Sequence, residues 1–186
     1  MGYLSSAKTP MVWRGPMASS AMSQLLEKTL WGDIDVLLVD MPPGTGDIQL
    51  TLSQRATLSG AVIVTTPQDI ALLDARKGIE MFQKVEVPVL GLIENMAAHV
   101  CTACGHVEPL FGEAGGQHLA EQYDVPLLGQ IPLDRAIREH SDQGHPIVLA
   151  DPEGPIAVVY QEAALKLLAA LGQQRPAPAP LISMGD

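Results

Sequence analysis

With 186 residues the chain has the length of one domain, and a composition of 47% apolar and 17% charged residues can build a core, which excludes intrinsic disorder. The formal net charge of −10 comes from 11 Lys and Arg against 21 Asp and Glu. Attraction to a phosphate backbone or an anionic membrane is therefore excluded as the main source of affinity, and we expect neither nucleic acid nor membrane as a partner.

Short hydrophobic runs alternate with helix-like segments, a pattern typical of βαβ units around a buried parallel sheet. The predicted strands are Ile34–Val39, Ala61–Thr65, Val87–Ile93 and Val125–Ile131. The predicted helices are Met17–Leu30, Ile48–Leu58, Ile70–Lys84, Ala114–Gln122 and Ile156–Leu171. Pro16 suits the first turn of the first helix, and Asp69 is a candidate N-cap of the third. Residues 172–186, in which Pro and Ala alternate, are predicted to be an extended tail.

The sequence carries no recognisable export signal. No apolar stretch approaches the ~18–20 residues of a membrane span, and residues 1–11 lack the charged and apolar regions of a signal peptide. We therefore expect a cytoplasmic protein, in which thiols stay reduced.

In open parallel sheets, ligands bind at the carboxyl ends of the strands. The loops expected to carry the chemistry begin at Asp40, Thr66, Asn95 and Pro132. Asp40 closes a hydrophobic strand and is followed by a Pro- and Gly-rich segment, which is the Walker-B pattern of a carboxylate that holds Mg²⁺. The same residues also fit a plain turn in which Asp40 caps the next helix.

The two cysteines, Cys101 and Cys104, are separated by two residues, so both thiolates can reach one metal ion or cluster. Gly105 stands where a c-type haem motif needs His, which excludes that motif, and the following residues do not begin a helix, which disfavours a thioredoxin-like pair. Iron–sulfur and zinc stay open, because His99 and His106 could complete a Cys₂His₂ zinc site.

Five motifs together resemble the Mrp/ApbC-type iron–sulfur cluster carrier ATPases, which belong to the MinD/ParA-like branch of P-loop proteins. The motifs are Trp13–Met17, Val39–Asp47, Gly46–Leu52, Val64–Asp69 and Glu94–Met96. The resemblance runs from about Gly2 to Leu171. It implies an α/β, three-layer P-loop NTPase fold with a mainly parallel sheet.

The resemblance also implies a function for the cysteines. Cys101 and Cys104 would bind an iron–sulfur cluster, expected to be 4Fe–4S, that bridges two protomers of a homodimer and is transferred to apoproteins. The alternatives are a MinD/ParA-like, partner-regulating ATPase with structural zinc at the cysteine pair, and a catalytically inactive remnant.

For the nucleotide, the resemblance implies that Asp40 is the catalytic residue that holds Mg²⁺ for ATP hydrolysis. The backbone of Gly44 would reach the terminal phosphate, Asn95 would pair with the adenine edge, and the loop at Pro132 would pack on the base. A simple turn residue is the alternative for Asn95.

One part of the family pattern is missing. The sequence contains no Gly-Lys dipeptide, and a Gly- and Lys-rich loop is what holds the β- and γ-phosphates. We therefore expect residues 1–171 to be the C-terminal portion of a longer P-loop domain that lacks the first βα unit. ATP hydrolysis is expected of the longer protein, whereas this chain alone should neither bind ATP tightly nor hydrolyse it.

Overall fold

A computed structural model of the chain describes residues 15–41, 49, 53, 56, 58–101 and 103–174. The chain divides into two compact units, residues 1–57 and 58–186.

In the first unit, helix α1 spans Gly15–Lys28, with Pro16 in its first turn as predicted. The predicted strand Ile34–Val39 is wrong, because the chain there is irregular and solvent-exposed, and the described residues of this unit contain no strand that could pair with it. The helix predicted over Ile48–Leu58 lies mostly outside the described residues. Within it Gln49 and Ser53 are helical, and the Ser53 hydroxyl donates to the Gln49 carbonyl (2.7 Å).

The second unit contains a four-stranded sheet. The strands are β1 (Ala61–Thr65), β2 (Val89–Val100), β3 (Val107–Glu108) and β4 (Leu127–Leu133). Strands β1 and β4 flank β2 in parallel, and β3 pairs antiparallel with the end of β2. The prediction of a mainly parallel sheet is confirmed.

Strand β2 is longer than predicted. It continues past Ile93 because His99 and Val100 pair with Glu108 and Val107 of β3. Asn95 therefore lies inside a strand, and the expectation that the strand ends there is wrong. The β4 prediction is confirmed with both ends displaced by two residues.

Five helices complete this unit. They are α2 (Asp69–Lys84), α3 (Gly115–Tyr123), α4 (Arg135–Asp142), α5 (Ile147–Ala150) and α6 (Pro155–Gln173). The predictions of α2, α3 and α6 are confirmed to within two residues, whereas α4 and α5 were not predicted. Asp69 is not the N-cap of α2, because Gln68 occupies that position and Asp69 is the first helical residue. Its carboxylate is still suited to the positive end of the helix dipole.

The core of the second unit lies between the sheet and helices α2 and α3. It consists of Ile63, Leu72, Ala75, Ile79, Leu92 and Leu119. The α2 members recur at the spacing of one helix face, which is how the sequence places α2 across β1 and β2.

Helix α6 corrects the expectation that no apolar stretch approaches the length of a membrane span. By length and composition alone it could cross a membrane, since an 18-residue window has a mean hydropathy of 1.3. One such helix is weak evidence for a span, and 11% of the window is buried within the structure. Here Ala163 of α6 faces Gly129 of β4, where an added methyl group would lie 3.2 Å from the Ala163 Cβ.

Candidate functional site

The cysteine pair lies in the turn that joins β2 to β3. We call residues 99–108 the cysteine hairpin. The Cys101 amide donates to the His106 carbonyl (2.9 Å), and the Gly105 amide donates back to the Cys101 carbonyl (2.8 Å). Gly105 has φ +73°, a backbone conformation that glycine adopts easily. These hydrogen bonds fold the turn tightly and keep both cysteines at its end.

Both thiols are free, Cys101 half-buried and Cys104 exposed. Hydrogen bonds from the backbone amide of Ala103, and then from the amide and thiol of Cys104, lower the pKa of Cys101 below its ordinary value. Such amide donors stabilise a thiolate, the form of cysteine that binds metals. The hairpin is therefore preorganised for metal or cluster ligation at an accessible surface.

The described residues do not form a preassembled Cys₂His₂ zinc site. The His99 Nδ1 lies 3.1 Å from the carbonyl oxygen of Leu133 on β4, a contact in which the ring donates and which leaves Nε2 unused among these residues. In the part of the chain that the structure describes, no three His, Cys, Asp or Glu side chains are grouped closely enough to hold a metal ion. The two thiols therefore need ligands from outside this set of residues.

The residues predicted to bind nucleotide are divided between the two units, Asp40 and Gly44 in the first and Asn95 and Pro132 in the second. Asp40 is exposed in a segment without regular structure. Gly44 lies outside the described residues.

Two further predicted contacts have local roles. The Asn95 Oδ1 accepts a hydrogen bond from the Met96 amide (3.0 Å) and supports the positive φ of Met96 (56°). Pro132 is half-buried inside β4, and the nearby Asp134 caps α4 by accepting from the Ala136 amide (2.7 Å). The described contacts of Asn95 and Pro132 are therefore contacts within the second unit.

Sequence reasoning missed Glu94, the one charged side chain that is buried among the described residues (1% exposed). It stands opposite Thr65 of β1 and Gln130 of β4 at the carboxyl end of the sheet. The sequence does contain a sign of this role, because a glutamate that follows directly on an apolar strand is costly to bury unless it is hydrogen-bonded.

Comparison with known proteins shows the family and the fold. The family model described as ParA, NUBPL iron-transfer P-loop NTPase, matches residues 1–168. The chain belongs to this family. Its P-loop NTPase fold confirms the fold class predicted from the sequence, and the resemblance to iron–sulfur carriers is confirmed with it.

Individual relatives are similarly informative. The chain is 61% identical over 165 residues to the iron–sulfur cluster carrier protein of Pseudomonas fragi, covering 89% of this chain and 58% of that protein. It is 58% identical over 171 residues to the protein of the same name from Salmonella typhimurium, covering 92% and 46%. A nucleotide-binding protein of Archaeoglobus fulgidus, solved in complex with ADP, is 38% identical and superposes with a TM-score of 0.65, covering 74% of this chain and 56% of that one. The chain thus spans about half the length of the curated relatives it matches.

Proposed function

We propose that this chain is the cluster-binding part of an iron–sulfur cluster carrier. Cys101 and Cys104 bind the cluster, and the carrier transfers it to apoproteins. The observation that carries this proposal is a pair of free thiols, one half-buried and one exposed, on a hydrogen-bonded hairpin whose backbone amides favour the thiolate of Cys101. Thiolates are the preferred ligands of iron–sulfur clusters, and ligands at an exposed turn can pass a cluster to another protein.

The cluster is of the 4Fe–4S type and bridges two copies of the chain. Two thiolates supply half of a four-ligand set, and a two-fold axis supplies the same pair again. Three exposed apolar side chains, Val100, Val107 and Leu110, lie on or beside the hairpin and would be covered by the second copy. This supports a homodimer that forms around the cysteines.

The nucleotide site belongs to the longer protein. Residues 1–171 are its C-terminal portion, and its first βα unit lies centrally in the sheet. The tail expected from residue 172 begins after Gln173, because α6 extends to that residue. The edge of β1 that faces away from β2 is unpaired among the described residues and is one place where an added strand would pair. Once the site is complete, Asp40 holds Mg²⁺, Gly44 contacts phosphate, and Asn95 and Pro132 contact the base.

In the longer protein, ATP binding and hydrolysis would change the dimer and thereby the retention of the cluster. We propose a cytoplasmic location, where thiols remain reduced and labile clusters are exchanged.

The test is anaerobic reconstitution of the purified chain with iron and sulfide. We expect visible charge-transfer absorption, one cluster for every two chains, and a monomer-to-dimer shift in light scattering on loading. Cys101→Ala and Cys104→Ala should each abolish all three signals. His106→Ala, a change in the same turn, should leave them intact.

A colourless monomer that retains zinc would overturn the proposal and favour a structural zinc site. Loss of the cluster in His106→Ala would show that a histidine, not a second copy, completes the ligand set.

A further inference from the structure

The buried carboxylate of Glu94 joins three elements at the carboxyl end of the sheet. One of its oxygens, Oε2, accepts a hydrogen bond from the Gly116 amide in the first turn of α3. The other, Oε1, accepts from the Gln130 side-chain amide on β4 (2.7 Å). Glu94 itself belongs to β2, so one side chain ties two neighbouring strands to the start of a helix.

These partners close a long excursion of the chain. After Glu94, β2 continues in the sheet to Val100, and the chain then forms the cysteine hairpin and returns to β2 at Gly116. Residues 95–115 make up this excursion: its outgoing end is held by strand pairing with β4 and β3, and its returning end is held by the Glu94 carboxylate. We call the hydrogen-bonded set of Glu94, Gly116 and Gln130 the carboxylate clamp.

The returning chain fits closely against the sheet. A methyl group on Gly116 would come within 2.7 Å of the Glu94 Oε2, and one on Gly115 within 2.8 Å of the Pro67 carbonyl oxygen. Real Cβ atoms essentially never approach so closely, so glycine is needed at both positions. The end of the excursion is thereby held against the loop after β1 as well as against β2.

A buried carboxylate is an expensive way to obtain this contact. Its desolvation is offset by two donors and by the positive end of the α3 dipole, whereas an apolar side chain of similar size would need no such compensation. What the carboxylate adds is direction, because charge-assisted hydrogen bonds are short and geometrically specific.

From this arrangement we propose that Glu94 is a positioning residue for the cysteine pair. The carboxylate clamp fixes the returning end of the excursion beside β2 and so, together with the strand pairing of the outgoing end, sets where Cys101 and Cys104 are presented. The relevance to cluster binding rests on the proposed function, but the clamp itself is a property of the apoprotein.

Hydrogen–deuterium exchange of the full apo chain tests the clamp. Glu94→Leu removes both acceptors, and we expect the amides of Cys101, Gly105 and Gly116 to exchange about tenfold faster. The Leu92 amide, which donates to the Pro126 carbonyl (2.9 Å), should keep its protection. Glu94→Gln keeps one acceptor for Gly116 and can pair with a rotated Gln130 amide, so it should restore exchange to near the wild-type rate.

The matched control is Glu113→Leu, which alters an exposed glutamate in the same excursion and should change nothing. Should Glu94→Leu fail to fold, Gln130→Leu removes one donor to Glu94 from the exposed side of the clamp. It should give a smaller increase in the exchange rate of the same three amides. Uniform loss of protection through β1 and β2 in a folded variant, or no change at Cys101 and Gly105, would overturn the proposal.

Reconstitution of the same variants links the clamp to cluster binding. We expect Glu94→Leu to lose its cluster several times faster than Glu94→Gln, with a changed visible circular dichroism spectrum. If the wild-type chain takes up no cluster, the proposed function fails, while the exchange experiment still decides whether the clamp exists.

Discussion

The run Ile34–Val39 and the strand β2 are both rich in branched apolar residues, yet only β2 is a strand. Leu92 in β2 is fully buried, with β1 on one side and β4 on the other. Leu38 in the first run is 77% exposed, in a segment without regular structure. Hydrophobic patterning is thus similar in the two regions, whereas strand pairing is not.

The difference teaches that a buried parallel strand depends on its neighbours. A strand of this type needs backbone hydrogen bonds on both edges and packing on both faces, which local sequence cannot supply. In the second unit β2 has these neighbours. Ile34–Val39 has no pairing strand among the described residues, and the nearby Asp40 therefore lacks the rigid strand end that a Mg²⁺ ligand requires.

Truncation of each leucine gives the largest expected effect. Leu92→Ala removes a side chain at the centre of the core and should lower the free energy of unfolding by about 2–5 kcal/mol. Leu38→Ala should change it by no more than about 0.5 kcal/mol, because the side chain is already in solvent. Urea titration followed by circular dichroism measures both, and a cost above about 2 kcal/mol for Leu38→Ala would show that the run is packed in solution.

The second prediction tests whether a Gly-Lys loop restores nucleotide binding at the segment that contains Asp40. Calorimetric titration of Mg-ATP into this chain should show no saturable binding, and Asp40→Ala should leave that result unchanged. A longer form carrying a Gly-Lys loop should bind at least about a hundredfold more tightly, or roughly 2.8 kcal/mol. In that form Asp40→Ala should weaken Mg²⁺-dependent hydrolysis. Saturable binding by the present chain would contradict the prediction.

Much of the second unit could be predicted from its sequence. Strand β1 and helices α2, α3 and α6 have strong local patterns that agree with their tertiary environment, so pattern and structure coincide. The cap of α2 was assigned to the wrong residue because Gln68 and Asp69 are adjacent and the carboxylate is the commoner cap. The extension of β2 was missed since its partner β3 has only two residues, too few to give a periodic signal.

The candidate site was predictable only in part. The spacing of Cys101 and Cys104 indicates a shared metal ion or cluster whatever the fold, because two thiolates separated by two residues can both reach it. The carboxylate clamp was not predictable, since it depends on residues 22 and 36 positions away from Glu94 being folded against it. His99 shows the same limit, because its ring is held by a backbone carbonyl of β4.

The smallest effect expected is a pH shift at the cysteine hairpin. Backbone amides lower the pKa of Cys101 in the folded chain, so the thiolate should form at a lower pH than in the unfolded chain. In the Cys104→Ala variant, which keeps the amide donors, the alkylation rate should reach half its maximum at a lower pH in buffer than in urea. The lowered pKa of Cys101 also stabilises the folded chain. This contribution to the free energy of unfolding is complete above the unfolded-state pKa and is lost as the pH falls through the folded-state pKa. Equal midpoints in buffer and urea would mean that the turn does not hold the thiolate in solution. An acidic shift would mean that the hairpin favours the metal-binding form of Cys101 before any metal is present, whereas Asp40 lies in a segment without regular structure.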